Sequence, residues 1–75
     1  DGIVAGGMIP GYAQHRHTLS APAYIDAVVR GELTDPTLTF QLHQGFEVVC
    51  PLPDYLHNSE VDNWAVLIRW RNPDT

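Results

Sequence analysis

The chain has 75 residues, 44% of them hydrophobic, and a formal charge of -5 from nine Asp+Glu against four Lys+Arg. That length allows one small domain, hiding only ~60% of its unfolded surface on folding, and the apolar content is too high for a disordered segment. The acidic balance argues against a nucleic-acid surface, and no apolar run approaches the ~20 residues that cross a bilayer.

The amino terminus enters an apolar run at Ile3-Val4 with no basic leader, so it is not read as a signal peptide but as a chain cut from something longer. The single cysteine, Cys50, has no partner for an internal disulfide, which fits a reducing, cytoplasmic compartment. Residues 3 to 9, IVAGGMI, are β-branched at the start and closed by Pro10-Gly11, which predicts a strand. Gly6 and Gly7 weaken its centre and suggest a bulge or close approach by another backbone. The segment YAQHRHT that follows reads as loop.

Ser20 opens a first helix as its amino-terminal cap, with Pro22 in the first turn and Leu19 and Tyr24 placed as a hydrophobic staple. Ile25, Val28 and Val29 form its apolar face, and Gly31 ends it near residue 30. Asp35 caps a second helix with Pro36 at its first position, the carboxylate also favoured by the helix dipole. Leu38 and Leu42 face the core, Gly45 terminates the helix in a left-handed conformation, and Phe46 folds back on Phe40 or Leu42.

From Phe46 the period changes to two. Phe46, Val48, Cys50 and Leu52 alternate with Glu47 and Val49, predicting a strand with one apolar face and Pro51 near its end. Residues 53 to 63 form a polar loop. Residues 64 to 70, WAVLIRW, are the last strand, with Trp64, Val66, Ile68 and Trp70 on one face.

A capped helix running into Gly-Phe, then a strand, a loop and an apolar final strand, resembles the carboxy-terminal half of a GNAT-type (Gcn5-related) N-acetyltransferase. Asp35-Pro36 stands where the family commonly has Asn-Pro, and Gly45-Phe46-Glu47 matches its Gly-Phe-Glu. The wording AGGMIPGY, then GELTDPTLTFQLHQGFEVV, then LIRWRNP is most similar to the acetyltransferase domain fused to nitrilase-like carbon–nitrogen hydrolases. The resemblance covers nearly the whole chain. It implies an α+β fold of three mostly antiparallel strands in the order first, third, second, covered by two short helices. It also implies acetyl transfer from acetyl-CoA to an amine.

Two features depart from the family pattern. The Gln/Arg-x-x-Gly-x-Gly/Ala turn that holds the coenzyme A pyrophosphate at a helix amino end is not present in the sequence. Where many members carry a tyrosine proposed to protonate the leaving thiolate, four residues before the helix-ending glycine, this chain has Gln41, which cannot act as an acid. The chain alone is therefore expected to be inactive and to bind no cofactor, with acetyl-CoA belonging to the complete domain. In that domain the resemblance puts Gly6, Gly7, Asp35 and Pro36 on the cofactor side. Tyr12, Tyr55, Asp54, Glu60 and the rest of the 53 to 63 loop would face the acceptor.

Read without the family, the polar residues point to little chemistry. His15 and His17 flank Arg16, with His43, His57 and Cys50 elsewhere. His-x-His supplies one close pair, but His43 sits near a helix end and Cys50 on an apolar strand face, so no metal is expected, and Cys50 reads as a core thiol instead of a nucleophile. Asp54, Glu60 and Asp62 could meet a cationic amine or simply keep the loop soluble. The first strand would have an open edge, so a homodimer or larger oligomer is expected. The alternatives to an acyltransferase half are a non-catalytic interaction or oligomerisation module and a small-ligand binding domain.

Overall fold

In a computed structural model, which describes residues 2–55 and 57–71, the elements run β1 (Gly2–Gly7), α1 (Ala21–Val29), α2 (Leu38–His43), β2 (Phe46–Leu52) and β3 (Ala65–Arg71). One 3-10 turn at Pro10–Gln14 follows β1, and another at Ser59–Val61 precedes β3. The sheet order is β1-β3-β2, antiparallel throughout. This is the α+β arrangement expected, with the last strand inserted between the other two.

α1 forms as its signals predict. Ser20 accepts the Ala23 N–H at 3.3 Å, and Gly31 adopts φ +82 just beyond the helix. Its buried face, Tyr24, Ile25 and Val28, packs with Leu38 of α2 onto Val66 and Ile68 of β3. Ile9, Tyr12 and Val61 complete this core from the connecting segments. Gly45 has φ +101, so α2 ends where a residue without Cβ is needed. Leu42 and Phe46 lie partly buried against the core while Phe40 is exposed.

Several expectations are corrected. β1 stops at Gly7, and the turn at Pro10 carries Ile9 into the core instead of extending the strand. The segment after Pro10 is not open loop, because its 3-10 turn buries Tyr12. The β1–β3 register is regular through Gly6 and Gly7, so the glycines mark no bulge; what approaches them closely is side chain, Tyr55 and Gln41. The bulge lies in β2. Val48 pairs with Ile68 and Cys50 with Leu67, which leaves Val49 as the extra residue. Cys50 is thereby turned off the core face and is exposed, not a core thiol.

Candidate functional site

Asp35 lies at the end of the α1–α2 connection and is 1% exposed. Its Oδ1 accepts the Gly11 N–H at 2.8 Å and the Tyr24 hydroxyl at 2.5 Å; Oδ2 accepts the Thr37 and Leu38 N–H groups at 3.0 and 2.9 Å. Its own N–H donates to Thr39 Oγ1 at 2.7 Å, and its carbonyl accepts the Thr39 N–H at 3.0 Å. The predicted cap is thus real in function, although the regular helix starts only at Leu38. Four donors occupy the carboxylate, which leaves no room for a ligand on it. Burial, followed by the hydrogen bond to Asp35 and its charge, pushes the Tyr24 hydroxyl well above its ordinary value.

The same junction absorbs Tyr12, which is correspondingly unavailable to an acceptor. Its hydroxyl donates to the Leu19 carbonyl at 2.8 Å, and its ring lies 5.4 Å from that of Tyr24. Desolvation raises its pKa, with Asp62 adding to the rise and Arg16 opposing it. The His15 ring lies at the same separation from the Tyr24 ring, tilted by 32°. Pro36 is exposed beside Gly11.

The end of β1 forms a second constellation. Gly6 and Gly7 present opposite faces of the strand. A Cβ at Gly6 would lie 2.8 Å from the Tyr55 hydroxyl, so this ring covers the face away from the helices. A Cβ at Gly7 would meet Gln41 Oε1 at 3.0 Å, with Ile68 and Val66 at 3.3 Å. That oxygen is buried with no hydrogen-bond partner among the described residues. The structure therefore joins Gly6, assigned to the cofactor side, with Tyr55, assigned to the acceptor side. It leaves Asp35 and Pro36 with Gly11.

Asp54 and Glu60 are exposed on the connection between β2 and β3. Asp54 has φ 55, and the Glu60 N–H is held by Asn58 Oδ1 at 3.1 Å. Arg16 pins this connection by donating to the Ser59 carbonyl and lying 3.5 Å from Asp62. Leu56 of the same loop lies outside the described residues. No group of three or more His, Cys, Asp or Glu side chains among the described residues could hold a metal ion. At the β2 side of the sheet, Pro22, Ile25, Asp26, Val29, Val48 and Pro51 line a shallow apolar groove whose carboxylate is paired to Arg30 at 3.0 Å.

Sequence reasoning missed Gly11 and Tyr24. The Pro10-Gly11 turn signal was visible, but its donation across 24 residues to Asp35 was not.

Two curated proteins of Bacillus subtilis (strain 168) are similar to this chain. The uncharacterized N-acetyltransferase YkwB is 36% identical over 70 residues, 93% of this chain and 31% of that protein. The probable hydrolase YhcX is 36% identical over 73 residues, 96% of this chain and 14% of that protein. The chain spans less than a third of either relative. No family model matches it, and no solved structure does. The match to YkwB over nearly every residue supports a relationship to acetyltransferases.

Proposed function

We propose that these residues form the acceptor-side half of a GNAT-like N-acyltransferase, which moves an acetyl group from acetyl-CoA to an amine. The observation that carries this is the 36% identity to an N-acetyltransferase across 93% of the chain. The β1-β3-β2 order fits it. The residues in hand do not fit the phosphate end of coenzyme A. Among the described residues no glycine-rich turn precedes a helix, the Asp35 carboxylate is already filled, and a chain at -5 repels a polyanion. The contribution of this half is the end of β1, where Tyr55 lies over Gly6 on one face and Gln41 lies over Gly7 on the other. In the complete domain the amine attacks the thioester carbonyl beside β1: the C–N bond forms, the C–S bond breaks with its electron pair leaving on sulfur as the coenzyme A thiolate, and the amine's proton passes to base or solvent.

The test has two arms. Calorimetry of the 75-residue chain with acetyl-CoA should show no micromolar binding. The polypeptide of the complete open reading frame should release free coenzyme A thiol when given acetyl-CoA and primary amines. Failure of that transfer across a broad amine panel would remove the reading. The specific similarity to YhcX, a probable hydrolase, is consistent with a domain fused to a carbon–nitrogen hydrolase.

A second reading, a non-catalytic assembly module, is favoured by one observation. β1 is an edge strand whose Ile3 and Val4 are 56% and 60% exposed, with no charged residue between positions 2 and 7.

A further inference from the structure

The fold keeps one polar atom in a place that stability alone does not explain. Gln41 Oε1 sits over Gly7, walled by Val66 and Ile68, in a seat open only because Gly7 lacks a side chain. The oxygen has given up water and gained no donor among the described residues. A methionine or leucine would occupy the same space without that deficit. The seat also adjoins the end of β1, which among the described residues pairs with β3 alone. The oxygen therefore lies over the core-facing side of the end of β1, buried and without a donor among the described residues.

We propose that the Gln41 carboxamide oxygen accepts a hydrogen bond from an N–H group of a bound substrate at the Gly7 end of β1. This rests on the acyltransferase reading, which offers two sources of that N–H: the acceptor amine, or an amide of the acyl donor's pantetheine arm. The last torsion of a glutamine side chain is broad, so the oxygen can leave its seat with little torsional cost. Pairing with the N–H then removes the deficit it carries when the site is empty. A thiolate cannot fill this role, because it offers the oxygen no proton; the partner must be a donor.

The test begins with Gln41→Met and Gln41→Leu in the 75-residue chain, both of which should raise Tm by several degrees. In the complete open reading frame the same variants should lower kcat/KM by about tenfold or more, the scale expected for losing one well-placed hydrogen bond to substrate. A rise in KM for a primary alkylamine with KM for acetyl-CoA unchanged assigns the N–H to the amine; the reverse assigns it to the pantetheine amide. Gln41→Glu keeps acceptor oxygens and should retain most activity. Apolar variants with unchanged kinetics, or with a lower Tm, would overturn the proposal while the acyltransferase reading stands. A wild-type protein that acetylates no amine removes that reading and the proposal together.

Discussion

Asp35 shows how one side chain settles a junction. The Asp-Pro pair made its capping role legible, since a carboxylate before a proline at a helix start has a short list of uses. That it would also gather Gly11 and Tyr24 was not legible, because those donors arrive from other elements. Asp35→Ala would leave four donors without an acceptor, those of Tyr24 and Leu38 fully buried, and we expect a loss of about 3 kcal/mol or more in urea unfolding. A loss under about 1 kcal/mol would show that water replaces the carboxylate. Tyr24 gives a pH test. Its folded-state pKa is raised above the ordinary 10.0, first by burial and then by Asp35. The native state therefore holds its proton more tightly than the unfolded chain does. The associated stability is fully present below about pH 10 and is lost as pH rises through the higher folded value. Thermal melts should fall steeply above pH 10, and Tyr24→Phe should flatten that slope in part, Tyr12 retaining its own raised pKa. An unaltered slope would refute the assignment.

At the scale of elements, the helices were readable because caps and terminators are local chemistry. Ser20, Gly31 and Gly45 act where the sequence places them. The strand β2 was readable in extent but not in phase. Val48, Val49 and Cys50 are apolar in succession, so alternation cannot reveal which residue is extra, and only the pairing with β3 decides it. The bulge at Val49 puts Pro51 opposite Val66 on the core face and Cys50 opposite Leu67 on the other. The consequence is chemical: a thiol expected in the core is exposed. Native protein should therefore react with a maleimide at Cys50 stoichiometrically and without denaturant. Protection of the thiol until unfolding would mean that the register is continuous and the bulge is wrong. The candidate site was legible only in part for a related reason. Gly6 and Gly7 stood out as unusual in a strand, but the pattern could not show that Tyr55 and Gln41 cover their two faces.

At the scale of the whole molecule, the two sheet edges differ in kind. β2 is guarded by its bulge and by Pro51, both of which disfavour addition of another strand. β1 has neither, and no charge from Gly2 to Gly7 to repel a neighbour. Its residues also run from bulky to small, Ile3 and Val4 before Gly6 and Gly7. Two copies pairing antiparallel about Ala5 would set Ile3 against Gly7 and Val4 against Gly6, each large side chain meeting a position with no Cβ. Residues directly opposite share a face in such a pair, so the helices of both copies would lie on the same side of one continuous sheet. We therefore expect the 75-residue chain to associate into dimers at high concentration, as measured by light scattering. Val4→Lys should hold it monomeric by placing a charge on the edge. In a Cys50→Ser background, Ala5→Cys should form an intermolecular disulfide under mild oxidation, because a residue facing its own copy across such a pair lies within bridging distance. Ile3→Cys, which faces Gly7 instead, should not. A clean monomer at the highest soluble concentration would rule out this edge as an assembly surface. Association that survives Val4→Lys would instead move the contact to another face, with the apolar groove beside β2 the next place to probe.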